Sequence, residues 1–184
     1  MADPLHDDGL PIPAVGAAVF GPSGASIRVA QKKTKWCWAA SAQMIRRHVR
    51  LPEKKQCEIA EKRLGKACCS TPDECNVPLA FDLLGALLAE NGMRSKRERA
   101  QLDQRTFWAE LFANRPILLA EIFENGTDGH VRVAFGWQQL RHGDLVVRIA
   151  DPAEAKTSST AFTELKNSRW RETWYRIEVA HGES

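Results

Sequence analysis

The chain has 184 residues, with 26 Lys and Arg against 23 Asp and Glu, a formal net charge of +3, and 43% hydrophobic residues. A single domain of this length buries roughly 70% of its unfolded surface, so it needs neither a metal nor a disulfide merely to fold, and the composition is that of a globular protein, not a disordered or fibrous one. Acidic and basic residues are interspersed, so nothing argues for a nucleic-acid partner, and no apolar run reaches the ~18 residues of a membrane span, "PILLAEIF" being short and broken by Glu121.

In chain order, residues 1–28 read as a flexible arm or linker, rich in Pro and Gly and ending in "GPSGAS", and residues 29–184 as the folded domain. The first residues are acidic where a secretory signal would be positive, which points to synthesis in the cytoplasm without a cleavable signal. A helix is predicted from about Trp36 to Val49, apolar around most of its circumference and therefore central. "QCEIAEKRLG" predicts a short helix stopped by Gly65, "NVPLAFDLLGALLAENG" a longer one capped by Asn76 and closed near Gly92, and "DQRTFWAELFANR" a fourth beginning at Asp103. The basic run "RSKRER", residues 94–99, reads as a solvated loop. Beyond Pro116 the period changes: "ILLAEIF", "HVRVAFGWQ", "DLVVRIA" and "TWYRIEVA" read as strands. Helices followed by strands predict an α+β fold, with a central helix packed on a C-terminal antiparallel sheet.

The stretch "QKKTKWCWAAS", residues 31–41, sets Cys37 in the first turn of the central helix. A thiol is a strong nucleophile as thiolate, and the unpaired amides and dipole at a helix N-terminus favour that charge. Ala39, Ala40, Ser41 and Ala42 let other backbone approach closely. A buried structural cysteine is the commoner fate of a free Cys. Gln31 is placed to donate its amide to an oxyanion beside the nucleophile's own N–H.

A catalytic thiol needs a base. His48 rides the same helix about 16 Å from Cys37 and cannot reach it. His6 and His181 are near the termini and His142 sits in the turn "LRHG", which leaves His130, at the start of a strand. That strand and "DLVVRIAD" form a hairpin turning near residue 141, so antiparallel pairing sets His130 opposite or diagonal to Asp151. The carboxylate would then orient the imidazole as the third member of a Cys-His-acid set. Asp-Pro is also simply a common turn.

"Q", five residues, then "CWAAS", together with "GHVRVAFGW" and "VVRIADP", resembles a papain-like cysteine peptidase, nearest the small bacterial branch of bacteriocin-processing, double-glycine peptidase domains, over about Gln31 to Tyr175. The resemblance implies an α+β papain-like fold with the thiol helix and the strands on opposite sides of a cleft. It implies Cys37 as nucleophile, His130 as general base and acid, Asp151 as orienter and Gln31 as oxyanion donor. "CCSTPDECN" resembles the cleft-lining segment of papain-type enzymes, with Val77 and Pro78 where those enzymes carry a double glycine, and the resemblance as a whole implies Trp38, Cys75, Asn76 and Gly129 as substrate-binding residues.

Cys57, Cys68, Cys69 and Cys75 could form disulfides, bind zinc or stay reduced; no pair of ligands at zinc spacing occurs twice, so zinc ranks last and no metal or other cofactor is expected. Disulfides call for an oxidising compartment, which without a signal points to a toxin or effector delivered by a signal-independent route. The expected partners are a protein or peptide substrate and a cognate inhibitor or immunity protein. The same groups serve a deamidase, transglutaminase or acyltransferase, and a catalytically inactive papain-like binding module is the alternative of another class.

Overall fold

The computed structural model describes residues 27–123, 129–140 and 144–180. Of the arm, only Ile27 and Arg28 fall within them. Ile27 is 1% exposed and packs into the core, and the Arg28 carbonyl accepts from Arg47 Nη1. His6, the turn containing His142, and His181 lie outside the described residues.

Helix α1, Cys37–His48, is the central helix, buried along nearly its whole length. Helix α2, Gln56–Leu64, ends where Gly65 takes the left-handed conformation (φ 64°) and returns its N–H to the Glu61 carbonyl, a cap that a side chain would strain. The long helix expected from Asn76 starts late: a 3-10 turn at Phe81–Leu83 leads into α3, Leu84–Glu90. Pro78 disfavours helical geometry at Val77, and the Val77 carbonyl is taken by the Trp38 indole, so residues 76–80 stay outside the helix. Helix α4, Gln104–Phe112, is capped as predicted, Asp103 accepting from the Thr106 N–H at 2.9 Å.

"RSKRER" is a strand, not a loop. Strand β1, Met93–Glu98, alternates between buried and exposed positions, but Ser95 and Arg97 fill its inward sites, which hides the period from a hydropathy reading. Arg97 lies 5.2 Å over the Trp174 ring and pairs with Glu172, so its stem covers apolar surface while its charge is satisfied. Strands β2 (Ile117–Ile122), β3 (Gly129–Gln139), β4 (Leu145–Asp151) and β6 (Trp170–Val179) correspond to the four predicted runs; β5 (Lys156–Ala161) and the short α5 (Phe162–Lys166) are additions within a polar stretch.

The six strands form one antiparallel sheet in the order β1-β6-β2-β3-β4-β5. One face carries Leu118, Ala120, Val131, Val133 and Trp174 against α1, α2 and α3. The other carries Ile117, Leu119, Ala134, Trp137 and Ile149 against α4 and α5, through Phe107, Trp108, Phe162 and Leu165. The sheet is therefore covered on both sides, and α1 lies directly on β3, where the Ser41 hydroxyl meets the Val131 carbonyl. Small residues on α1 permit that approach.

Candidate active site

Residues 31–36 form an irregular loop that delivers Cys37 to the head of α1, and it is tied down on three sides. Gln56 clamps its start, accepting from the Lys32 N–H and donating to the Ala30 carbonyl, each at 2.8 Å. Residues 75–77 hold its end: Trp36 Nε1 donates to the Cys75 carbonyl at 2.7 Å, Trp38 Nε1 to the Val77 carbonyl at 3.1 Å, and the Lys35 N–H to Asn76 Oδ1 at 2.9 Å. The Gln31 N–H donates to the Pro152 carbonyl at 2.9 Å, joining the thiol loop to the residue after Asp151. Cys37 is the free cysteine among the described residues and is half-buried. No side chain caps α1, so its first-turn amides are not consumed by one.

His130 and Asp151 come from adjacent strands. Near the turn, β3 and β4 pair as Gln139 with Leu145 and Gly136 with Arg148; past an irregularity at Phe135 they pair as Ala134 with Ile149 and Val133 with Ala150. Continuing the first register would set Asp151 against Val133, on the α1 face. The extra residue shifts it against Arg132, on the same face as His130, because directly opposed residues share a face and successive residues alternate. The bulge thus places the carboxylate diagonal to the imidazole, and Asp151 Oδ1 lies 2.8 Å from His130 Nε2. The same oxygen accepts from the Ala153 N–H at 2.9 Å.

Burial by itself would lower the His130 pKa, but hydrogen bonds to Asp151 and to the Cys37 sulfur, with the charges of both, raise it to about 9. Burial would likewise push Asp151 up, but the His130 bond and charge, the Ala153 amide and the nearby Arg132 hold its carboxyl below the usual range. The ring therefore favours its protonated form.

These groups border a cleft of about 690 Å³, with Gln31, Cys37 and Trp38 on one side, Gly129, His130 and Val131 on the other, and Phe81, Leu84, Ile122 and Phe123 along its floor and end. Gly129 is needed for closeness: a Cβ there would collide with the Phe81 ring and crowd the Glu121 carbonyl. Gln31 Nε2 donates to the Thr34 carbonyl at 2.8 Å.

Two residues implied to bind substrate lie elsewhere. Cys75 is fully buried and bonded to Cys68, and Asn76 turns away to the Thr34 hydroxyl and the Lys35 N–H, so both brace the thiol loop from behind. Phe81, Leu84, Ile122 and Phe123 escaped the sequence reading because the first two were assigned to a continuous helix and the others to a strand end; the Val77-Pro78 break was the available signal. Cys57 pairs with Cys69 and Cys68 with Cys75, which takes all four clustered thiols. His48 is buried with Nε2 3.0 Å from the Asn114 carbonyl, joining the ends of α1 and α4.

Among the described residues no helix is long and apolar enough to cross a membrane, and no group of three or more His, Cys, Asp or Glu is placed to hold a metal ion. A family model described as the papain-like cysteine protease AvrRpt2 matches residues 24–169. No curated protein matches the chain.

Proposed function

The chain belongs to the family of the papain-like cysteine protease AvrRpt2, and on that premise we propose that it cleaves a peptide bond in a specific protein substrate through Cys37, His130 and Asp151. The observation that carries this is the imidazole held between a carboxylate at 2.8 Å and the Cys37 sulfur, in the lining of a cleft of about 690 Å³.

The Cys37 thiolate attacks the carbonyl carbon, forming a C–S bond as the π pair moves onto oxygen. The developing oxyanion is met by the Cys37 N–H at the uncapped head of α1 and by the Gln31 N–H that Thr34 leaves unused. Collapse breaks the C–N bond, and protonated His130 gives its proton to the departing amine. Neutral His130 then takes a proton from water as that water attacks the thioester, and collapse breaks the C–S bond, releasing the carboxylic acid and leaving the thiolate beside the protonated ring. Asp151 sets the ring's direction and stabilises its positive form throughout. The two disulfides support action outside a reducing cytosol, as for an exported toxin or effector.

Wild type and Cys37→Ala incubated with a whole-cell lysate test this by terminal mass spectrometry. New termini with wild type alone support the reading. A +1 Da side-chain change or cross-links without new termini would redirect it to deamidation or acyl transfer, and no difference would end it.

A further inference from the structure

We propose that a recess adjoining the cleft is a subsite for an acidic side chain of the substrate, resting on the peptidase reading above. It has a volume of about 640 Å³ and shares Ile122 and Phe123 with the cleft, so the two adjoin at the end of β2. The recess lies where β2 and β6 slip register between Ala120 and Glu121, near the start of β6.

Three arginines, Arg132, Arg169 and Arg171, line it against one glutamate, Glu121. Glu121 is 8% exposed and is neutralised by an ion pair with Arg132. Among the described residues, neither Arg169 nor Arg171 forms an ion pair. Both are held in place. The Arg169 guanidinium lies 5.5 Å over the Phe123 ring, and its carbonyl accepts from the Ile122 N–H at 3.3 Å. Arg171 Nη1 donates to the Ser168 and Trp170 carbonyls, each at 2.9 Å. Those bonds use one nitrogen, leaving Nε–H and the Nη2 hydrogens, the side-on pair that a carboxylate bridges with both oxygens. A glutamate or aspartate side chain of the substrate meets that fork in a setting already anchored.

The test uses a proteome-derived peptide library with wild type, Cys37→Ala, Arg169→Gln, Arg171→Gln and the double variant, reading cleaved termini. Matched Glu and Gln forms of the best peptide are then compared by kcat/KM. Wild type should show Asp or Glu enriched at one position near the cleaved bond and a Glu-to-Gln ratio of about tenfold. The ratio should shrink with added salt and fall to near one in the double variant. Cys37-dependent cleavage without an acidic preference overturns the subsite and leaves the peptidase reading standing. An equal loss on both peptides with the ratio intact also overturns the subsite, because damage to folding lowers both alike. If wild type cleaves no more than Cys37→Ala, the peptidase reading falls and takes the subsite with it.

Discussion

Replacing Asp151 by asparagine separates charge from orientation at His130. Asp151 Oδ1 accepts from both the His130 ring and the Ala153 N–H. The amide of Ala153 can only donate, so an asparagine settles with its oxygen toward both donors, keeping the ring's direction while losing the negative charge. The His130 pKa of about 9, against the ordinary 6.5, represents about 3 kcal/mol of preference for the imidazolium after burial has been overcome. Asp151 shares that work with Cys37, so removing its charge should lower the alkaline limb of kcat/KM by about one unit and reduce the neutral-pH value by about tenfold. Asp151→Ala, which also frees the ring, should cost ~10²–10³-fold. The assay is a pH profile on a peptide that wild type cleaves.

Stability follows the same group. A raised histidine pKa means that the stabilisation is complete below about pH 6.5 and is lost as pH rises through about 9. The Tm difference between wild type and Asp151→Asn should therefore be largest on the acid side of neutrality and narrow toward pH 9. Below the ordinary carboxylate range it should shrink again, as Asp151 itself protonates. An alkaline limb that stays near 9 in Asp151→Asn, or an asparagine variant as impaired as the alanine one, refutes this account of the His130–Asp151 pair.

Gln31→Ala should reduce kcat ~10²–10³-fold with little change in KM, and by thermal melt should cost little stability, since the side chain donates only to the Thr34 carbonyl. The double change Cys68→Ser with Cys75→Ser opens a short loop and should cost ~2–3 kcal/mol in urea unfolding. It should also reduce activity beyond that, because Cys75 and Val77 hold Trp36 and Trp38 beside the thiol. Gly129→Ala pushes the Phe81 ring into the cleft and should raise KM more than it lowers kcat, measured on the same peptide.

The elements with a strong period were legible in the chain itself: α1, α2 and α4 from their apolar spacing and stops, and β2, β3, β4 and β6 from their apolar runs. Cys37 at a helix head and His130 at a strand start were readable for the same reason, since each depends on local geometry within a few residues. Strand β1 was not, because Arg97 occupies an inward position that only the Trp174 ring opposite makes hospitable. Nor was the non-helical run from Cys75 to Ala80, where two indoles take the Cys75 and Val77 carbonyls and a backbone amide takes the Asn76 side chain, all from some forty residues earlier in the chain.

The meeting of histidine and aspartate lies between these cases. The hairpin alone brings Asp151 near His130, but side chains on a strand alternate at every residue, so proximity along the chain does not decide which face a carboxylate takes. The single extra residue at Phe135 decides it, and a bulge is a response to packing on both faces of the sheet, which no local pattern encodes. The cleft's apolar end and the arginine recess are tertiary for the same reason: their walls come from the 3-10 turn, the end of β2 and the start of β6, segments adjacent only once the sheet has assembled.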